Sequence, residues 1–162
     1  DASTEVGPLI RPREVVRVDN WVGEARDSGG DVLCGGDPVS ETCYAPTVIY
    51  DPPADAQVSC REIFGPVVCV YPYSDIDGAI TKANSLDYAF QASVFTQDMD
   101  IAMRAYARLD ATAVMVNDHT AFRVDWMPFA GLRQSGLGVG GIPHTMHEMQ
   151  IEKMLVIKSA EL

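Results

Sequence analysis

Basic residues are scarce in this chain. Lysine and arginine total 12 against 23 aspartates and glutamates, for a formal charge of -11. No Lys/Arg run offsets that balance, so the electrostatic footprint of a nucleic-acid binder is missing. The acidic excess reads as a solvated surface. Long apolar runs are missing too. None approaches the ~20 residues of a membrane-spanning helix, so no membrane partner is expected. No basic and apolar leader opens the chain, which starts Asp1-Ala2-Ser3-Thr4 without a methionine. The expectation is a segment that begins inside something longer, or one that has been cut. Cysteines number only four, Cys34, Cys43, Cys60 and Cys69. They form no Cys-x-x-Cys pair and lie in or beside apolar segments. Free thiols in a cytoplasmic setting are expected, a disulfide between two of them being the alternative.

What is present suffices for one domain with a core: 162 residues, 47% hydrophobic and 22% charged. Pro12 suits the first turn of a helix, and Val15, Val18, Val22 and Ala25 recur at helical spacing until Gly29-Gly30. Asp31 to Cys34 reads as a strand broken by Gly35-Gly36-Asp37-Pro38. Tyr44 to Tyr50 reads as a second strand, and Pro46 predicts a place near a sheet edge. Beyond Pro66 an alternation sets in. Strands are predicted over 67–71, 92–96 and 113–116. Helices are predicted over 75–85 and from a cap at Asp98 to about Arg108. This order predicts parallel pairing.

One short stretch is unusual in composition: Arg61-Glu62-Ile63-Phe64-Gly65-Pro66-Val67. A carboxylate and a ring two positions apart point the same way in an extended segment. Gly65-Pro66 then turns the chain into an apolar strand. From Asn117 to His147 periodicity dissolves into a Gly- and Pro-rich segment carrying Phe122, Trp126 and Phe129, and loops this long are often functional. His144-x-x-His147-Glu148 lacks a third histidine or a cysteine cluster, so no metal site is expected. The run Gly136-x-Gly138-x-Gly140-Gly141 follows no predicted strand and opens no predicted helix, which sets it apart from a dinucleotide loop. It reads as a chain reversal needing unusual φ. A short apolar strand, Met154 to Ile157, closes the chain.

Several segments, in order, resemble the C-terminal part of aldehyde dehydrogenases over nearly the whole length. Asp1-Ala2-Ser3-Thr4-Glu5-Val6-Gly7-Pro8 is similar to the family's Asp-Pro-x-Thr-x-x-Gly-Pro. Glu62-Ile63-Phe64-Gly65-Pro66-Val67 matches its most recognisable C-terminal motif. The run from Ala83-Asn84 through Tyr88 to Val94-Phe95-Thr96 is similar to another. Val116-Asn117 and Pro128-Phe129-Ala130-Gly131-Leu132-Arg133-Gln134-Ser135-Gly136 resemble its Pro-Phe-Gly-Gly-x-Lys-x-Ser-Gly element.

The resemblance implies an α/β fold: a three-layer, parallel-sheet, Rossmann-like portion of the catalytic domain over residues 1–151, with an oligomerisation strand over residues 152–162. It implies a homo-oligomer, dimer or tetramer, built through that strand. It implies oxidation of a small aldehyde with NAD or NADP. Glu62 matches the glutamate that hydrogen-bonds the nicotinamide ribose, and a carboxylate suits a vicinal diol. Phe64 matches the ring beside the nicotinamide. Phe129 matches an aromatic of the tunnel that admits the aldehyde, and Phe122 and Arg123 fall within His119 to Arg123, where family members place a variable substrate-contacting loop. Arg123 could clamp an acidic tail bidentately or pair structurally with Asp118 or Asp125. The nucleophilic cysteine, general base, oxyanion-hole asparagine and cofactor domain match nothing here, so no catalytic residue is expected in this chain and turnover by it alone is not expected.

Ala130 replaces the usual Gly, Arg133 the usual Lys, and Leu137 to Ile142 the usual Gly-Arg-Glu. These departures look closer to lactaldehyde-like or phosphonoacetaldehyde-like branches. Two rival readings stand beside this one. The chain could be a non-catalytic module associating through an exposed sheet edge. It could also be a thiol hydrolase pairing one of its cysteines with a histidine.

Overall fold

The computed structural model describes residues 3–161. The chain divides into two compact units, Asp1–Asp75 and Ile76–Leu162.

In the first unit, helix α1 spans Pro12–Asp27, with proline in its first turn and Val15, Val18, Val22 and Ala25 buried. That is the face the helical spacing predicts. Strands β1 (Asp31–Cys34), β2 (Thr47–Tyr50) and β3 (Val67–Val70) form one sheet in the order β1-β2-β3. The β1–β2 ladder is antiparallel with a bulge between Val32 and Cys34; the β2–β3 ladder is parallel. The expectation that the Tyr44–Tyr50 segment lies at an edge is therefore wrong. Its ladder starts one residue after Pro46, so the missing N–H never falls in the sheet and β2 can be central. Thr47, the buried polar residue here, donates its hydroxyl to the Ala45 carbonyl at 2.7 Å and accepts from Gly36 N–H at 2.9 Å. A one-turn helix, α2 (Gln57–Cys60), absent from the sequence reading, precedes the Glu62–Phe64 stretch. The valines of α1 pack with Tyr44, Ile49, Ala56, Val58 and Val67, and Ile63 lies against this cluster.

The second unit holds α3 (Ile76–Ala83), β4 (Tyr88–Ala89), β5 (Gln91–Val94), α4 (Met99–Arg108), β6 (Ala113–Val116), β7 (Leu132–Arg133) and α5 (Ile142–Glu148). β5, α4 and β6 form the expected crossover, with β5 parallel to β6. Asp98 caps α4 as predicted, its carboxylate accepting from the N–H groups of Asp100 at 2.8 Å and Ile101 at 3.3 Å. β4 pairs antiparallel with β7, a contact that sequence periodicity did not show because each strand has two residues.

The α/β class holds, with the ladders distributed over three small sheets. Two further sequence expectations change. The glycine run does open a helix: Gly141, at φ 107°, stands at the N-cap of α5. Gly136 and Gly138 also have positive φ, as a chain reversal requires. Met154–Ile157 carries no secondary structure in the single chain, because a strand needs a partner ladder to exist. Among the described residues no helix is long and apolar enough to cross a membrane.

Candidate functional site

The Glu62–Phe64 stretch is a strap with alternating faces. Ile63 turns to the core, while Glu62 and Phe64 are exposed, Phe64 at 76%. Both line an open cleft of about 550 Å³ together with Leu9, Arg11, Glu14, Arg17 and Trp21. Phe64 sits at φ 46°, in the left-handed region that an aromatic residue rarely adopts. Gly65 follows because no Cβ fits: one placed there would stand 2.8 Å from Cγ2 of Val18. The strap is thereby seated directly on α1.

Arg17 ties the strap down. Its Nη2 donates to the Ile63 carbonyl at 2.6 Å and its Nε to Glu14 at 2.8 Å. Its guanidinium also lies over the Trp21 ring at 4.5 Å. Hydrogen bonds from Arg17, then Arg13, hold the Glu14 carboxyl down at about 2, with Arg11 adding to them. Sequence reasoning missed Arg17 and Trp21. Their signal was positional, since Glu14, Arg17 and Trp21 follow one another at spacings of three and four on a helix.

The second unit carries the other candidates. The Arg123 guanidinium lies over the Phe129 ring at 4.3 Å. Phe90 meets the same ring edge-on, with centroids 4.8 Å apart and planes at 88°. Among the described residues Arg123 has no carboxylate partner, so the ion pair with Asp118 or Asp125 does not form. It opens instead onto a groove of about 640 Å³ lined by Asp125, Ile142, Thr145, Met146 and Met149. The Ile142 N–H donates to the Asp125 carbonyl at 2.9 Å, joining α5 to this loop. Phe129 is held by a bridge to Gly140, with N–H···O distances of 3.1 and 2.7 Å. Phe122 closes a turn with His119 and remains 48% exposed, outside both stacks. Phe90 was not singled out in the sequence, although it stands inside a family-like run.

His144 and His147 both fall on α5, yet among the described residues no three His, Cys, Asp or Glu are grouped to hold a metal. All four cysteines are free thiols, with Cys34 exposed. Burial pushes the Cys69 thiol up, the reverse of an activated nucleophile. All the cysteines lie in the first unit and all the histidines in the second, so neither unit by itself holds a cysteine–histidine pair.

The aldehyde dehydrogenase family model matches residues 1–155. The chain belongs to the aldehyde dehydrogenase family. It is 38% identical to the 3-sulfolactaldehyde dehydrogenase of Priestia megaterium and 36% identical to a lactaldehyde dehydrogenase of Methanococcus maripaludis. Each match covers 97% of this chain and 33% of the relative, so the chain spans about a third of the length of these curated relatives. Among solved structures it superposes on aldehyde dehydrogenase 21 of Physcomitrella patens in complex with the reaction product succinate. That match has a TM-score of 0.88 at 37% identity, over 92% of this chain and 31% of the other. It also matches the glyceraldehyde-3-phosphate dehydrogenase GapN of Methanocaldococcus jannaschii complexed with NADP. There the TM-score is 0.86 at 34% identity, over 92% of this chain and 32% of the other. Aldehyde dehydrogenase relatives thus support the α/β fold.

Proposed function

We propose that this chain serves as the C-terminal third of an NAD(P)-dependent aldehyde dehydrogenase that oxidises a small aldehyde with an acidic tail to its carboxylic acid. The observation that carries the acidic-tail reading is Arg123. Its guanidinium is unpaired with any carboxylate among the described residues, stacked on Phe129 and open to a groove. A planar fork held on a ring is suited to accept a carboxylate, sulfonate or phosphate bidentately. Three relatives fit that chemistry by name or ligand: sulfolactaldehyde dehydrogenase, an enzyme complexed with succinate, and a glyceraldehyde-3-phosphate dehydrogenase. Phe129 and Phe122 would supply apolar wall to the aldehyde.

On the cofactor side, Glu62 would accept from the two ribose hydroxyls and Phe64 would pack beside the nicotinamide. The cleft fits such a group: it is open, edged by a carboxylate and a ring, and its strap is fixed by Arg17. A bound nicotinamide cofactor supplies the hydride acceptor. The residues of this chain bind and orient, and the thiolate chemistry belongs to residues it does not contain. Residues 1–151 would then be part of the catalytic domain and residues 152–162 the oligomerisation segment. Met154, Leu155, Val156 and Ile157 are 64–84% exposed, an apolar row that a ladder in a second subunit would cover. That row also favours the second reading, a module that only associates. A cytoplasmic setting fits the four free thiols.

The test compares the natural gene product with the 162-residue chain. The mass of the product decides whether it is about three times longer. Aldehyde-dependent reduction of NAD or NADP is then followed for both, using lactaldehyde, sulfolactaldehyde and succinate semialdehyde. Activity in the longer protein and none in the chain alone is expected. Turnover by the chain alone, or no activity in a longer product, overturns the proposal. Sedimentation showing a monomer at high concentration overturns the association reading.

A further inference from the structure

Arg133 is held in the left-handed region, at φ 56°, where a side chain with no task would favour its replacement by glycine. Its guanidinium reaches three acceptors at once. Nη1 donates to the Asn84 carbonyl at 2.8 Å and to the Leu86 carbonyl, and Nη2 pairs with the Asp110 carboxylate. The acceptors are themselves joined. Asp110 N–H donates to Asn84 Oδ1 at 2.9 Å, and Asn84 Nδ2 donates to the Arg108 carbonyl at 2.7 Å. The clip therefore grips the end of α3 and the turn after α4 together.

What the clip holds is the β4–β7 ladder. Tyr88 faces Arg133 and Ala89 faces Leu132. Gln134 N–H donates to the Asp87 carbonyl at 2.9 Å, and Ala89 N–H to Ser135 Oγ at 3.0 Å. Phe90 is the next residue after β4, and Phe129 lies three residues before β7. A two-residue ladder fixes its register weakly, and two side chains add to it: the Arg133 clip, and Thr112 Oγ1, which lies 2.9 Å from the Phe90 carbonyl and 2.6 Å from that of Ala130.

We infer that Arg133 is a positioning residue, whose three-acceptor clip sets the Phe90–Phe129 contact and so the ring on which Arg123 rests. The inference rests on the reading of Arg123 and Phe129 as the substrate wall. The lysine usual at this place in the family would not make the same clip, because one ammonium on a flexible stem does not reproduce a planar fork spanning two segments.

The test uses the 162-residue chain with labelled arginine and NMR. In the wild type the Arg123 side-chain protons are displaced upfield by the Phe129 ring. In R133K that displacement is lost while far-UV circular dichroism stays unchanged. In D110N, which keeps the two carbonyl acceptors, it is reduced. A wild-type Arg123 shift in folded R133K overturns the inference; if R133K does not fold, an unchanged shift in D110N does so. The readout is a ring current, not turnover. An inactive longer enzyme would therefore count against the proposed function and leave this inference standing.

Discussion

Arg17 donates to the carbonyl of Ile63, at 2.6 Å, across 46 residues of sequence. The bond joins the first helix to the strap that presents Glu62 and Phe64. The same guanidinium pairs with Glu14 and covers Trp21, so one side chain organises the whole cleft.

Arg17→Ala should therefore loosen the strap as well as the fold. Loss of a charge-assisted, part-buried bond costs about 1–2 kcal/mol. Urea unfolding checks the stability. Amide exchange at residues 62–65 checks the strap and should speed up more there than in the β2–β3 ladder.

Glu14 makes that assembly sensitive to acid. Its folded pKa is about 2, below its ordinary 4.5, because Arg17 first and Arg13 next donate to it. A depressed carboxyl contributes its full stabilisation above pH 4.5 and loses it as pH falls toward 2. Thermal unfolding followed between pH 6 and pH 2 should show this slope, and Glu14→Gln should flatten it.

The turn after the strap tolerates no added bulk. Gly65→Ala would press a methyl against Val18, at 2.8 Å, and should destabilise by about 1–3 kcal/mol. Phe64→Gly should do the opposite to stability, relieving a left-handed φ of 46° by about 1 kcal/mol. In the longer enzyme it should weaken cofactor binding, read as a raised KM for NAD or NADP.

The cysteines should differ in reactivity with their burial, which limits access and, at Cys69, disfavours the thiolate. Cys34 is exposed, whereas Cys69 is half-buried with its thiol pushed up by burial. Iodoacetamide at neutral pH, with mass spectrometry, should modify Cys34 first and Cys69 last. A cysteine reacting faster than a free thiol would revive the hydrolase reading.

Much of the fold was legible in the chain because periodicity is local. The buried face of α1, the cap at Asp98 and the β5–α4–β6 crossover follow from spacing and side-chain chemistry within a few residues. The elements that escaped were short: α2, β4 and β7 have four, two and two residues. Such pieces carry too few positions for a period, and long-range partners hold them. Helix α5 hid behind Gly141-Ile142-Pro143, which reads as a loop until the chain places proline in the first helical turn. Of the candidate site, Glu62, Phe64 and Phe129 stand in family-like motifs and Arg123 in a variable loop, so the sequence could single them out. Arg17, Trp21 and Phe90 were not: helical spacing puts Arg17 and Trp21 on one face with Glu14, but nothing local shows that this face meets the strap, or that Phe90 meets Phe129.

By itself, then, the sequence determined residue chemistry and local order: which carboxylate and rings are present, where α1 and α4 start, and which family's motifs the chain carries. Only the tertiary structure decided what those groups touch. Arg123 had two open fates on sequence, a carboxylate or a ligand, and its place over Phe129 without an ion pair is a matter of non-local packing. Glu62 and Phe64 were two positions apart from the start. Their cleft exists because Gly65 lets the strap close on Val18 and because Arg17 holds the carbonyl between them. Contacts between distant segments depend on which surfaces the fold brings together, and no run of neighbouring residues encodes that.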